Sequence, residues 1–219
     1  MLKIFFLSDE EGAFSLTTMG YLLFAVLIFL ILILIATLFS EKKGFNTKQL
    51  VFCSVSVALT FAMSNFKLFS MPMGGTVTLF SMFFITFMGY LYGPMVGMMV
   101  GIAYGLLALI VDPYIVSLPQ LLVDYLLAFG ALGLAGFFSE MKNGLIIGYI
   151  VGVLGRYFFA VLSGIIFFGM YAPEGTDPKI YSLTYNGGYL GAEAALTLMV
   201  LLIPAVRKAL AQVKKMARE

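Results

Sequence analysis

Seven apolar runs, separated by short polar segments, occupy most of this sequence. A helix that crosses a bilayer needs about 20 mostly apolar residues, because its backbone polar groups must find partners within the helix. Only 11% of the residues are charged, whereas a soluble domain carries about 25%. The sequence therefore predicts an all-α integral membrane protein with several spans. The runs lie at 21–39, 49–66, 77–92, 96–111, 117–138, 144–170 and 189–206.

Composition argues against several classes of function. The sequence contains no histidine and a single cysteine, Cys53, so we expect no metal site, no cofactor and no catalytic residues. It also lacks the G-x-x-x-x-G-K-[ST] phosphate loop, so the chain is not itself an ATPase of that type. A net charge of +2 gives no reason to expect a nucleic acid as partner.

Basic residues are unevenly distributed between alternate connections. One side carries three of them, Lys3, Lys67 and Lys179, and the other side carries nine. Because basic loops stay in the cytoplasm, we predict a multi-pass plasma-membrane protein with a cytoplasmic C-terminus and its N-terminus outside. The nine residues are Lys42, Lys43, Lys48, Lys142, Arg207, Lys208, Lys214, Lys215 and Arg218.

Two of the runs carry small residues at a four-residue spacing. Ser54, Ala58 and Ala62 follow it in the second run, and three glycines between 97 and 105 follow it in the fourth. Residues at this spacing share one helix face, where they let a second helix approach closely. We predict that the glycines pack within the chain. For Ala58 and Ala62, internal packing and docking of a partner protein both remain open.

Three ionisable residues lie inside predicted spans: Asp124, Arg156 and Glu193. A charged side chain at the centre of a membrane helix costs on the order of 2.5–3.5 kcal/mol by insertion scales, so it should face a cavity or a partner. Asp124 is therefore either a polar contact for a ligand or half of an ion pair with an arginine of another helix. Arg156 and Glu193 likewise belong either to a site or to a structural ion pair.

Aromatic and amide residues are concentrated on the predicted outer side. Tyrosines commonly form a belt at membrane interfaces, but a belt does not explain Asp124 beside Tyr125, or Asn186 in an expected Tyr-Asn-Gly-Gly turn. We predict an outward-open pocket with aromatic walls, suited to a small flat molecule and favourable to a cation. The turn-rich segment 67–78 is expected to form a flexible lid, and 171–188 a second outer loop. The concentrated residues are Tyr114, Tyr125, Tyr157, Phe168, Tyr171, Tyr181, Tyr185 and Asn186.

Three sequence blocks carry a family resemblance. They are YIVSLPQLLVDYLLAFGALGLAGFF, RYFFAVLSGIIFF and YSLTYNG. In order and spacing they resemble blocks of the thiamine-specific S-components of energy-coupling factor transporters, the ThiT family. The similarity extends over about residues 50–206. It implies a subunit that captures a vitamin outside the cell and works with a transmembrane T-component and two cytoplasmic ATPase subunits.

The resemblance also implies an organisation of the chain. Residues 1–45 would form an N-terminal segment with one extra transmembrane helix, which precedes the six-helix S-component core. Residues 46–219 would form the substrate-binding membrane domain and its basic cytoplasmic tail. In the family, the first core helix docks on the T-component through small residues, and the matching positions here are Ala58 and Ala62.

Individual residues receive roles from the same resemblance. The family's acidic contact to an aminopyrimidine falls on Asp124, one methylene shorter than the usual glutamate. The family's histidine falls on Ala160 and its tryptophan on Phe168. We expect Tyr157 or Arg156 to occupy the space beside Ala160. The other substrate-binding positions fall on Tyr114, Tyr125, Tyr181 and Asn186.

We therefore interpret the chain as the substrate-capture subunit of an ATP-driven vitamin importer, with thiamine as the expected ligand. The nearest alternative is an S-component for a thiamine precursor or another small vitamin. A different class is an ion-coupled transporter or intramembrane enzyme without ATPase partners, with Asp124, Arg156 and Glu193 as a proton or ion relay. A membrane protein without any ligand would leave the polar outer pocket unexplained.

Overall fold

The computed structural model describes residues 6–8, 14–17 and 46–219. The predicted first span at 21–39 lies outside the described residues, as does most of the expected N-terminal segment. In the described part, a short antiparallel pair of strands, β1 (Phe6–Ser8) and β2 (Phe14–Leu16), precedes the helices.

Seven principal helices make up most of residues 46–219. Four of them, α1, α3, α4 and α5, are long and apolar enough to cross a bilayer. The bent pair α6–α7 adds a fifth span if it is counted as one, and α2 is apolar with only 12 residues. The predicted all-α membrane fold is confirmed. The helices are α1 (Thr47–Ser64), α2 (Ser81–Tyr92), α3 (Pro94–Val111), α4 (Leu118–Phe138), α5 (Gly144–Phe167), α6 (Pro178–Leu201) and α7 (Pro204–Arg218).

The centre of the domain is the packing of α2, α3, α4 and α5 around residues such as the fully buried Leu132. A Cβ atom added at Gly97 would come within 2.6 Å of the Gly89 Cα and 2.8 Å of the Gly133 Cα. Only glycine permits this close approach of three backbones. The prediction that the glycines between 97 and 105 pack within the chain is therefore confirmed.

α4 changes its helical form along its length. It begins as an α-helix at Leu118–Leu121, and the next six residues, Leu122–Leu127, form a π-helical stretch. An α-helical turn and a 3₁₀ segment, Leu132–Phe138, complete it. In a π-helix each N–H bonds five residues back, which widens the helix, and such stretches are frequent at functional sites. Asp124 and Tyr125 both lie in this widened stretch.

The segment between α1 and α2 forms an antiparallel hairpin rather than a helix. β3 (Lys67–Ser70) pairs with β4 (Thr76–Thr78), and the 3₁₀ turn Pro72–Gly74 forms the tip. Gly74 has a φ of 85°, a left-handed conformation that glycine adopts without strain. The predicted third run begins its helix at Ser81 instead of residue 77, because the preceding residues belong to β4.

The beginning of α6 overturns one prediction. α6 starts at Pro178, where the Asp177 side chain accepts a hydrogen bond from the Lys179 N–H. Aspartate at the N-cap and proline in the first turn favour a helix start, and a helix satisfies the backbone where lipid excludes water. The expected loop at 171–188 is therefore wrong in its second half, and Asn186 lies in a helix rather than in a turn.

The end of α6 differs from prediction as well. The helix stops at Leu201 rather than at residue 206, and the chain bends by 87° into α7. The apolar side of α7 packs on the core, and Arg218 forms a 2.7 Å ion pair with Glu140 in the α4–α5 connection. The hydrogen bond from Arg218 holds the pKa of Glu140 below its ordinary value. The basic tail is thus a helix seated against the end of the bundle.

Candidate functional site

A cavity of about 260 Å³ lies between the C-terminal end of α1, the hairpin and helices α3, α4, α5 and α6. Arg156 and Glu193 line it. Tyr157 is not among its lining residues, because its hydroxyl turns away to donate a 3.1 Å hydrogen bond to the Leu183 carbonyl. The other predicted substrate-binding residues all line the cavity: Tyr114, Asp124, Tyr125, Phe168, Tyr181 and Asn186.

Asp124 is positioned by a glutamine one turn before it on α4. The Gln120 Nε2 donates a 2.7 Å hydrogen bond to the Asp124 Oδ2 and a 3.2 Å hydrogen bond to the Tyr114 carbonyl. The Gln120 Oε1 in turn accepts from the Val116 N–H at 3.1 Å. Gln120 is only 1% exposed, so this network fixes the carboxylate while leaving it lone pairs for another donor.

One wall of the cavity is aromatic. The rings of Tyr114 and Phe168 stack with centroids 5.9 Å apart and an angle of 21° between their planes. Tyr171 continues this group, 6.2 Å from Phe168. The Tyr125 hydroxyl accepts a 2.9 Å hydrogen bond from the Tyr114 N–H, so the α3–α4 connection carrying Tyr114 is tied to the π-helical stretch. This arrangement offers flat apolar faces beside the Asp124 carboxylate.

Asn186 lines the cavity with its polar groups already engaged. Its Nδ2 donates to the Ser182 carbonyl at 2.9 Å and to the Ala160 carbonyl at 3.3 Å. Its Oδ1 accepts from the Tyr189 hydroxyl at 3.0 Å. Asn186 therefore joins α6 to α5 and holds the backbone of Ala160 at the cavity wall.

The hairpin is attached to α6 at two points. At the tip, the Tyr185 hydroxyl accepts a 2.9 Å hydrogen bond from the Gly75 N–H and donates to the Pro72 carbonyl. At the root, Glu193 accepts from the Thr78 and Ser81 hydroxyls, at 2.6 and 2.9 Å. These contacts hold the predicted lid over one side of the cavity.

Glu193 is a structural carboxylate in this geometry. It is 2% exposed and accepts a third hydrogen bond, of 3.0 Å, from the Met82 N–H at the start of α2. Within the part of the chain that the structure describes, it forms no ion pair with Arg156, the structural pairing considered from the sequence. The hydrogen bonds from Thr78, Ser81 and Met82 stabilise the Glu193 carboxylate in place of a cation.

Arg156 reaches the cavity from α5. Its Cζ lies 4.2 Å from the centroid of the Phe129 ring, in a cation–π contact. Of the two residues expected to occupy the space beside Ala160, Arg156 lines the cavity and Tyr157 does not.

Ala58 and Ala62 lie away from the cavity. Both are exposed on α1, together with Ser54 and the larger apolar residues Val55 and Leu59. Among the described residues, no helix covers this face. Docking of a partner on it remains a prediction, and packing against the rest of residues 46–219 is not observed.

Several polar residues of the cavity were not singled out from the sequence, among them Gln120 and Ser163. Gln120 and Ser163 are neutral and lie inside apolar helices, where nothing in the local pattern distinguishes a cavity from a helix contact. Their spacing was the available signal, since Gln120 is four residues from Asp124 and Ser163 is seven from Arg156, which places each pair on one helix face. No group of metal-binding side chains occurs among the described residues.

Comparison with known proteins gives concordant matches. The protein-family model described as "Thiamine transporter protein" matches residues 50–213. The thiamine transporter ThiT of Bacillus subtilis is 38% identical over 135 residues, which cover 55% of this chain and 70% of that protein. The thiamine transporter ThiT of Lacticaseibacillus paracasei is 32% identical over 94 residues, 37% of this chain and 47% of that protein.

The fold matches a solved structure as well. ThiT from Listeria monocytogenes aligns with a TM-score of 0.57, covering 78% of this chain and 93% of that one. The sequence identity is 21%, so this likeness concerns the fold.

Proposed function

Because this chain belongs to the thiamine transporter protein family, we propose that it binds thiamine in the α3–α6 cavity and serves thiamine uptake across the plasma membrane. The observation that carries the proposal is Asp124, a carboxylate held by Gln120 at the edge of a cavity with an aromatic wall. The chain is a transport protein rather than an enzyme, and its binding residues perform no reaction on the ligand.

The chemistry of thiamine suits this cavity. The ligand consists of an aminopyrimidine ring joined to a positively charged thiazolium ring. The exocyclic amine would donate to Asp124, and the stacked pair of Tyr114 and Phe168 would offer a flat face to one ring. Aromatic faces also attract a cation, by about 0.5–2 kcal/mol. Phe168 attracts the cation more weakly than a tryptophan would.

We infer an outward-facing site from the charge distribution. The basic α7 and the connection containing Lys142 would lie in the cytoplasm under the positive-inside rule, with the N-terminus outside. The hairpin and the α3–α4 connection then belong to the outer side. Residues 46–219 would form the capture domain, and residues 1–45 would add one more transmembrane helix.

We further propose that a T-component and two ATPases supply the energy of transport. The chain has no phosphate loop of its own, and the exposed small residues Ala58 and Ala62 on α1 suit a close helix–helix contact with another membrane protein. Uptake that required only an ion gradient would overturn this partnership and favour an ion-coupled transporter.

Ligand binding to the purified chain in detergent tests the proposed function. Calorimetry or tyrosine fluorescence would compare thiamine with its pyrimidine half, its thiazole half and riboflavin. We expect a Kd for thiamine below about 1 μM, equivalent to about −8 kcal/mol. Binding of one half or of riboflavin, without thiamine, would mean that Ala160 and Phe168 have changed the specificity of the fold.

Asp124→Asn provides the first variant for this assay. It keeps the shape of the side chain but removes its charge and one acceptor. We expect thiamine affinity to fall at least tenfold, about 1.4 kcal/mol. Asp177→Asn is the matched control, because Asp177 caps α6 outside the cavity and asparagine caps equally well. Equal affinity of the Asp124→Asn variant and the unaltered chain would remove Asp124 from the site.

A further inference from the structure

α7 lies almost at a right angle to α6, from which it is separated by a bend of 87°. α6 has 24 residues and is about 36 Å long at 1.5 Å per residue, enough by itself to cross the hydrocarbon core of a bilayer. α7 carries five basic residues and no acidic residue among its 15 residues, and so many charges are excluded from hydrocarbon by their cost. Where α6 crosses the membrane, α7 therefore runs along the membrane surface.

One face of α7 is used for packing, and the opposite face is exposed. Leu210 and Ala217, seven residues apart, pack on the hydrophobic core. Lys208 and Lys215 have the same spacing, lie on the other side of the helix and are exposed. Large apolar side chains are also exposed at the two ends of the helix. They are Leu202, Ile203 and Met216.

Polar contacts fix α7 against the α4–α5 connection, residues 139–143. The Arg207 Nη2 donates a 3.2 Å hydrogen bond to the Asn143 Oδ1, and Arg218 forms its ion pair with Glu140. Lys142 precedes Asn143 and is exposed, so its ammonium group belongs to the same surface as the cations of α7. This basic surface consists of Lys142, Arg207, Lys208, Lys214, Lys215 and Arg218.

The basic surface has too few carboxylates to neutralise it. Glu140 and Glu219 pair with two of its six cations, at 2.7 and 3.8 Å. Within residues 46–219 the other four cations form no ion pair. Arg207 and Lys214 bind neutral groups, an amide oxygen in the first case and a backbone carbonyl and the Tyr90 ring in the second. The surface therefore keeps an excess of positive charge and attracts anions.

We propose that the basic surface binds the headgroups of anionic phospholipids in the adjacent membrane leaflet. Clusters of about four to eight basic residues beside a transmembrane helix or on an amphipathic helix are typical of such binding. The flexible stems of Lys208 and Lys215 let their ammonium groups reach phosphates beside the helix. The exposed apolar residues at the two ends of α7 favour lipid as the partner, because they can lie among the upper parts of the acyl chains.

Lipid retention by the full chain tests this proposal. The chain would be reconstituted in vesicles with equal amounts of phosphatidylglycerol and phosphatidylcholine carrying the same acyl chains. It would then be extracted in detergent, and its bound lipids would be counted by mass spectrometry. We expect at least about a tenfold excess of phosphatidylglycerol, because each basic residue near an anionic surface contributes roughly fivefold. The triple variant Lys142→Gln/Lys208→Gln/Lys215→Gln should lose most of this excess, as should the unaltered chain in about 1 M salt.

Lys179→Gln is the matched control for the triple variant. Lys179 is an exposed lysine at the start of α6, at the opposite end of that helix from α7, so removing it should leave the lipid excess unchanged. The triple variant should melt at the same temperature as the unaltered chain. It should also bind thiamine within about twofold of the unaltered chain, because no residue of the basic surface lines the cavity.

The outcomes are distinguishable. Equal amounts of the two lipids on the unaltered chain would overturn the proposal and leave the basic surface to an acidic protein. An excess of phosphatidylglycerol that survives in the triple variant would also overturn it, since the lipid would then bind elsewhere. An equal loss in Lys179→Gln would overturn it too, because net charge alone would decide retention. Absence of thiamine binding by the unaltered chain would overturn the proposed function and leave the lipid result standing.

Discussion

Two carboxylates face the same cavity, and their surroundings differ. Glu193 accepts hydrogen bonds from two hydroxyls and one backbone N–H, whereas Asp124 accepts one from Gln120. A carboxylate has room for about four hydrogen bonds, so Asp124 keeps capacity for a ligand and Glu193 has little. An ionisable residue within a transmembrane helix therefore does not by itself identify a ligand contact, because residues that only stabilise the fold show the same pattern.

Glu193→Gln should lower stability more than it affects recognition. The amide NH₂ would face donors that now point at a carboxylate oxygen, and each buried polar group left unpaired costs about 1–3 kcal/mol. We expect a lower melting temperature in detergent. Glu174→Gln, in the exposed connection before α6, is the matched control and should melt unchanged. Loss of thiamine binding without loss of stability would instead make Glu193 a ligand contact.

The elements of the chain were predictable where hydrophobicity alone decides them. The runs at 49–66, 96–111 and 117–138 correspond closely to α1, α3 and α4, because a bilayer demands long apolar helices. The start of α6 was not predictable in this way. Its first turns are polar, and two glycines follow Asn186, a pattern that indicates a turn in water but is tolerated in a packed membrane helix.

The candidate site was predictable to a similar extent. The cavity position of Asp124, Tyr125 and Phe168 was expected from the sequence blocks and agrees with the structure. The π-helical stretch was not expected, because nothing in the local residue pattern at Leu122–Leu127 distinguishes it from an α-helix. Ser163 was missed for a related reason, since a lone serine in an apolar helix carries no sign of which neighbour it faces.

Gly105→Ala tests whether the helix contact shapes the site. A Cβ atom at Gly105 would overlap the Tyr125 carbonyl oxygen, so α3 must move away from the π-helical stretch that carries Asp124. Overpacking of this kind costs about 1–3 kcal/mol. We expect a lower melting temperature and thiamine binding weakened at least tenfold.

The control for Gly105→Ala lies on α6. A Cβ atom at Gly191 would meet nothing within 4 Å, so Gly191→Ala should leave binding unchanged and stabilise the helix by about 0.5–1 kcal/mol. Wild-type affinity in the Gly105→Ala variant would show that the cavity tolerates a shift of α3 and that the contact serves packing alone.

At the scale of the whole molecule, the ligand cavity and the exposed face of α1 are separate surfaces. The cavity is bounded by the hairpin, α3–α6 and the C-terminal end of α1, whereas Ala58 and Ala62 lie on the exposed face of α1 and do not line it. The proposed docking of a partner on α1 would therefore leave the cavity free to bind its ligand. The hairpin, attached to α6 through Tyr185 and Glu193, connects the end of α1 to the cavity.

Ala58→Leu and Ala62→Leu should therefore separate transport from binding. A leucine on a small-residue face prevents close approach of a partner helix, and neither Ala58 nor Ala62 lines the cavity. Transport of labelled thiamine would be measured in cells or proteoliposomes containing the T-component and the two ATPases. We expect uptake to fall at least about tenfold, while the Kd of the purified variants changes less than about twofold.

Ala192→Leu is the matched control, because Ala192 is exposed on α6, a helix that does not pack against α1. It adds the same side chain to the membrane-facing surface and should leave uptake unchanged. If Ala58→Leu and Ala62→Leu lost thiamine binding together with uptake, the α1 face would be part of the internal packing of the chain. If uptake and binding both stayed normal, the partner would have to dock elsewhere on the bundle.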